Sequence, residues 1–181
     1  MTPRAVFLDR DGTLNVRPAE HSYVETLAGF VWLPGAVEGA IALARAGFVL
    51  AVASNQRGIA RGLVSWTTIA AIEAEIQARL GEHGVRIAAF RYCPHELDEG
   101  CDCRKPAPGM LFELARQLDV DLARSWMVGD SPSDVAAGRA AGCATALIDA
   151  SAEHAPSADL VAPSLLAAAT AIVEREALSR P

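Results

Sequence analysis

Ala5-Val-Phe-Leu8 is an unbroken apolar run, and Asp9-Arg-Asp-Gly-Thr13 follows it without a spacer. Four apolar residues without alternation read as a strand buried on both faces. Carboxylates placed directly after such a strand fit an open parallel sheet, where ligands bind beyond the carboxyl ends of the strands.

The same layout recurs along the chain. Phe48-Val-Leu-Ala-Val-Ala53 reads as a second buried strand and stops on Ser54-Asn-Gln56. Val85 to Tyr92 reads as a third. Trp126-Met-Val128 is a fourth, ending on Gly129-Asp130 with Asp134 one helical turn further on. Ala144 to Ile148 and Leu160 to Ala162 complete the set. Helical spacing or helix start and stop signals fall between them, over Ala36 to Ala46, Trp66 to Leu80, Pro108 to Leu118, Ser133 to Ala141 and about Ser164 to Leu178. Ile69, Ile72, Ile76 and Leu80 form the apolar stripe of the second helix, which Gly81 stops. Alternating strands and helices predict an α/β fold, a doubly wound, Rossmann-like parallel sheet forming a single domain over residues 1–181. Ala150 to Ala158 is expected to be the least ordered part. No segment between Thr13 and Ser54, or between Gln56 and Lys105, is long enough for a separate cap domain.

Composition narrows the partners. The chain has 181 residues, a formal charge of −6 and 51% apolar residues, enough for one sizeable core. The acidic balance and the lack of a basic run argue against nucleic acid. No apolar run approaches the ~20 residues of a membrane span. No leader pattern opens the chain, so a cytoplasmic location is expected, and a monomer. Four cysteines are too few for a disulfide scaffold.

The acids carry the chemistry. Asp9, Asp11 and Asp130 around one point would repel each other unless a cation lay between them. Carboxylate oxygens with open positions suit Mg²⁺. A carboxylate beside that ion can attack phosphorus, and a second one two residues on can protonate the leaving oxygen. Asp11 then has to carry a proton at the first step, which predicts negative neighbours around it. Lys105 is the only lysine in a chain that otherwise uses arginine. An ammonium is a compact point charge, whereas guanidinium is a planar fork. Cys93-Pro-His95 and Cys101-Asp-Cys103 make two hooks with five residues between them. Three thiolates and one imidazole form a closed tetrahedral set, the pattern of structural Zn²⁺ in a loop over residues 93–103. The metal is expected to fix Arg104 and Lys105, which follow it.

Phe7-Leu-Asp-Arg-Asp-Gly-Thr-Leu14 resembles the first motif of the haloacid dehalogenase superfamily of phosphatases. Ser54, Lys105 and Gly129-Asp130 with Asp134 match the second, third and fourth motifs in order. The resemblance implies that Asp9 is the nucleophile and Asp11 the general acid/base. It implies Mg²⁺ held by Asp9, the backbone carbonyl of Asp11 and Asp130, with Asp134 behind these ligands. Ser54 would hydrogen-bond the transferring phosphoryl group, and Lys105 would balance its charge.

Tyr92-Cys-Pro-His95, Cys101-Asp-Cys-Arg-Lys-Pro-Ala-Pro-Gly-Met110 and Ser54-Asn-Gln-Arg-Gly-Ile-Ala-Arg-Gly62 narrow the resemblance. They are similar to the D-glycero-D-manno-heptose 1,7-bisphosphate 7-phosphatases, and the histidinol-phosphatases share the zinc loop. The implied substrate is a small phosphorylated sugar, with histidinol phosphate as the alternative. A zinc-stabilised binding module with a vestigial site is the non-enzyme alternative. Candidate substrate contacts are Asn15, Arg17, Ser54, Asn55, Gln56, Arg57, Arg104 and Lys105. Three features depart from the family: a long stretch from Asn15 to Tyr23, Arg57 where a small residue is common, and Ser131 where lysine is frequent.

Overall fold

β1 (Ala5–Leu8) lies inside a six-stranded sheet of order β3-β2-β1-β4-β5-β6, with every neighbouring pair parallel. The other strands are β2 (Val49–Asn55), β3 (Ala89–Cys93), β4 (Trp126–Gly129), β5 (Ala144–Ile148) and β6 (Leu160–Ala162). This computed structural model describes residues 2–149 and 158–178. All of Ala150 to Ala158 except Ala158 lies outside the described residues.

Successive residues of a strand face opposite sides, and the apolar runs use both. Val6 and Leu8 enter one core with Val52 and Val128. Ala5 and Phe7 enter the other with Ala51 and Met127. The helices are α1 (Ala36–Arg45), α2 (Trp66–Gly81), α3 (Gly109–Leu118), α4 (Pro132–Ala141) and α5 (Leu165–Leu178). α1, α2 and α5 cover the first face; α3 and α4 cover the second. This is the expected doubly wound sheet. Among the described residues α1 is the only α-helix between β1 and β2, so no cap is inserted there. None of the described helices is long and apolar enough to cross a membrane.

The third strand starts later than its apolar run suggests, at Ala89 rather than Val85. Val85 and Ile87 are buried, yet they lie outside the ladder. The Gln77 amide takes the place of a neighbouring strand: its Nε2 donates to Ile87 O at 2.7 Å, and its Oε1 accepts from Ile87 N at 3.1 Å.

The chain adds β2 and β3 on one side of β1, then returns to place β4 on the other. Sheets of this order bind ligands at the crevice where the winding reverses. Leu8 is level with both Val52 and Val128, so residues just beyond these three strands meet.

Candidate active site

Asp9 leaves β1 with its backbone N–H on Val128 O at 2.9 Å, which fixes its position between β1 and β4. Its carboxylate is buried, and Lys105 Nζ stands 2.8 Å from Oδ1. Burial pushes this carboxyl up, but the Lys105 charge and hydrogen bonds from Lys105, Ser54 and the Arg10 amide outweigh it and hold Asp9 below its ordinary range. Asp9 therefore presents an anionic oxygen in a buried place, which is what an attacking carboxylate needs.

Lys105 is fixed from every side. Nζ donates to Ala53 O at 2.7 Å and stands 2.6 Å from Asp134 Oδ1. Burial alone would drive the ammonium towards its neutral form; Asp134 and Asp9 reverse that and raise it. The Asn55 amide grips the backbone of the same residue, accepting from Lys105 N and donating to Lys105 O, both at 3.0 Å. This second role of Asn55 has no signature in sequence spacing.

Asp134 does two things at once. Its Oδ2 accepts from Ser131 N at 3.0 Å, completing a capping box with the Ser131 hydroxyl at the start of α4. Its Oδ1 faces Lys105. Asp9, Asp130 and Asp134 offer oxygens that all lie within 4.8 Å of one another. Burial, with the repulsion of Asp9 and Asp134, pushes the Asp130 carboxyl up to about 7 against the opposing pull of Arg17. Such a cluster is stabilised by a cation between the oxygens. Two glycines let the acids approach. A Cβ on Gly12, whose φ is +89°, would lie 1.8 Å from Asp130 Oδ2, and one on Gly129 would lie 2.2 Å from Asp134 Cγ.

Asp11 is surrounded differently from the expectation. In place of negative neighbours its carboxylate receives a guanidinium and two amides. Arg10 Nε and Nη2 donate to Oδ1 at 3.0 and 2.9 Å, and Nη2 also reaches Oδ2 at 2.9 Å. Asn15 Nδ2 donates to Oδ1 at 2.9 Å and Gln56 Nε2 to Oδ2 at 2.8 Å. The backbone turn that follows explains this: Arg10 O accepts the N–H groups of Thr13, Leu14 and Asn15, which folds Asn15 back under Asp11.

A cleft of about 190 Å³ opens over these groups, lined by Asp9, Asp11, Arg17, Ser54, Gln56 and Lys105. A neighbouring cleft of about 350 Å³ shares Ser22, Tyr23 and Asn55 with it and adds Arg57 and Arg104. Tyr23, from the long stretch after Asn15, packs against Gly58 and accepts a hydrogen bond from Arg57 Nε at 3.1 Å. Arg17 Nη2 lies 2.7 Å from Asp130 Oδ1. Asn15 is fully buried and lines neither cleft.

Cys93, at the end of β3, meets His95, Cys101 and Cys103, their ligand atoms all within 4.8 Å of one another. His95 Nδ1 is 3.2 Å from Cys103 Sγ, and Cys93 Sγ is 3.6 Å from Cys101 Sγ. A tetrahedral zinc with sulfur at 2.3 Å has ligand-to-ligand edges of about 3.8 Å, so the four groups fit such an ion with little movement. The loop leans on the rest of the site through Gln56 N, which donates to Cys93 O at 2.8 Å, and through Arg104 Nη1, which donates to His95 O at 3.3 Å.

The chain is similar to known hydrolases. A family model described as HAD-hydrolase-like matches residues 102–169. A D-glycero-beta-D-manno-heptose-1,7-bisphosphate 7-phosphatase of Pseudomonas putida is 42% identical over 145 residues, covering 80% of this chain and 82% of that one. Its counterpart in Vibrio cholerae is 39% identical over 155 residues, covering 82% of each. The crystal structure of D,D-heptose 1,7-bisphosphate phosphatase from B. bronchiseptica, complexed with magnesium and phosphate, superposes with a TM-score of 0.86 at 35% identity, over 95% of this chain and 99% of that one. With this fold, this cluster of acids and this degree of identity over four fifths of its length, the chain belongs to the heptose 1,7-bisphosphate 7-phosphatase family of HAD-type hydrolases.

Proposed function

We propose that the protein is a Mg²⁺-dependent phosphomonoesterase that removes the 7-phosphate of D-glycero-D-manno-heptose 1,7-bisphosphate through an aspartyl-phosphate. The observation that carries this reading is the meeting of Asp9, Lys105 and Asp134 at the floor of one cleft, with an Asp130 oxygen within 4.8 Å of both other carboxylates.

Asp9 Oδ attacks phosphorus as the bond to the sugar oxygen breaks, and Asp11 gives that oxygen its proton. Water then attacks the phosphorus of the aspartyl-phosphate and passes a proton to Asp11. The Asp9–phosphorus bond breaks and inorganic phosphate leaves. Lys105 and Ser54 face the charge on the transferring oxygens, where electrostatic stabilisation contributes most. Asp9, Asp130 and the backbone carbonyl of Asp11 would hold Mg²⁺, with Asp134 beside them; the ion supplies positive charge to the phosphoryl oxygens. Arg57 and Arg104, in the neighbouring cleft, are suited to the second phosphate of a bisphosphate. The Cys93, His95, Cys101 and Cys103 cluster would hold structural Zn²⁺, and reduced thiols of this kind suit a cytoplasmic location.

The deciding experiment is phosphate release with Mg²⁺ from both anomers of the heptose bisphosphate and from histidinol phosphate. Preference for a bisphosphate supports the reading. Preference for histidinol phosphate replaces the substrate and keeps the chemistry. No release from any ester overturns it in favour of a binding module.

A further inference from the structure

Arg10 lies between the two acids of the first motif, where sequence spacing treats it as filler. It is fully buried, and its guanidinium sits beneath the cleft, not in it. Burying a charged group is costly unless it is paired and hydrogen-bonded. Asp11 is its only ion-pair partner among the described residues, and the Asp11 side chain is 20% exposed where Arg10 is 0%. The guanidinium therefore meets the carboxylate from below while the carboxylate faces the cleft.

Gln56 completes the arrangement. It is 2% exposed. Arg10 Nη2 donates to Gln56 Oε1 at 3.0 Å, and that bond settles which end of the amide is which. The Nε2 end is left to face the site, donating to Asp11 Oδ2 at 2.8 Å and to Ser54 Oγ at 3.2 Å. One chain of hydrogen bonds thus runs from Arg10 through Gln56 to Asp11 and Ser54.

From this geometry we infer that Arg10 and Gln56 are the positioning residues of Asp11, fixing its carboxyl towards the leaving oxygen from below. The inference rests on the phosphatase reading above. It assigns to two buried side chains an orienting task for a chain in which no cap is inserted among the described residues between β1 and β2. Asp11 sits in a turn, and once these donors are removed only Asn15 Nδ2, at 2.9 Å from Oδ1, still holds its side chain. Arg10 does not line the cleft, and Gln56, which does, spends its amide on Arg10, Asp11 and Ser54. A structural role alone would lower all turnover together. A positioning role lowers the step that needs the proton more than one that does not.

The test is rapid-quench measurement of leaving-group release in the first turnover, with the heptose bisphosphate and with p-nitrophenyl phosphate. The alkoxide of a sugar needs a proton to depart; the nitrophenolate does not. In Arg10→Met the ratio of the two release rates, sugar over aryl, is expected to fall about 100-fold, the lower end of what general-acid catalysis contributes. Arg10→Lys keeps the charge without the two-pronged grip and should restore the ratio to within about 10-fold of wild type. Gln56→Met keeps the Arg10–Asp11 pair, so it folds even if Arg10→Met does not, and its ratio should fall about 10-fold. Equal loss on both esters in the folded variants, or no loss on either, overturns the inference. A wild-type enzyme that releases neither leaving group overturns the phosphatase reading itself, and the inference with it.

Discussion

Lys105 Nζ and Asp9 Oδ1 stand 2.8 Å apart in a place where both side chains are nearly closed to solvent. The pair was foreshadowed by a compositional fact: one lysine among sixteen basic residues. Its ammonium also reaches Asp134 Oδ1 and Ala53 O, so its three donors are all committed.

Lys105→Arg is expected to lose at least about 100-fold in kcat, since the guanidinium cannot make three converging short contacts in the same space. Lys105→Met should lose as much and also destabilise the metal-free protein by about 3 kcal/mol, because it strands buried carboxylates. Steady-state kinetics and urea unfolding in chelator separate the two effects. A Lys105→Arg enzyme of normal rate would remove the case for the lone lysine.

Asp130 sets a pH dependence whose sign can be worked out. Its folded carboxyl is raised to about 7 from an ordinary 3.8. Between those values the folded chain holds a proton that the unfolded chain has released. Its stabilising contribution to the metal-free protein is thus complete below 3.8 and is lost as pH rises towards 7. Asp9 runs the other way, its carboxyl being held low, so its contribution is present above 3.8 and is lost as pH falls. Metal-free Asp130→Asn should therefore melt above wild type at about pH 8 and close that gap on acidification to about pH 4. Added Mg²⁺ should raise the wild-type Tm and leave the variant unmoved. Calorimetry in chelator and in Mg²⁺ reads both.

Gly12→Ala meets two obstacles. Its φ of +89° disfavours any side chain, and the new Cβ would overlap Asp130 Oδ2 at 1.8 Å. A loss of about 3 kcal/mol is expected from strain and overlap together. Isothermal titration with Mg²⁺ should show weakened binding as well, because the carboxylate has to move. Unchanged stability and metal affinity would mean the turn relaxes.

Removing the zinc ligands tests the loop. A Cys101→Ser and Cys103→Ser double variant should purify without the single equivalent of zinc expected in wild type, and its Tm should fall. Turnover should fall too, since Cys103 lies two residues before Lys105. Metal analysis showing no zinc in wild type would end the structural-zinc reading.

Much of this is legible in the sequence. The strands were apolar runs buried on both faces, and acids placed immediately after them had nowhere to go except the crevice between β1 and β4. The Cys and His hooks were legible by ligand count alone. What stayed hidden depends on contacts between distant segments. Val85 and Ile87 read as strand because apolar pattern cannot register that Gln77, ten residues from Ile87, supplies the hydrogen bonds in a neighbour's place. Asn55 reads as a ligand contact and does line both clefts, but its amide's grip on Lys105, fifty residues on, leaves no trace in the spacing. Arg10 carried no signal at all, because a charge between two acids looks like a solvated spacer until its burial is seen.

Asp134 has one oxygen on the first turn of α4 and the other on Lys105. That division has a dynamic consequence. The end of a helix normally frays without disturbing its surroundings. Here fraying would pull a carboxylate off the lysine, and loss of the lysine would release the cap. The first turn of α4 and the floor of the cleft should therefore open together. Amide hydrogen exchange at the start of this helix becomes a reporter on the assembled site, slowing when a phosphate-like anion occupies the cleft and quickening when Lys105 is replaced.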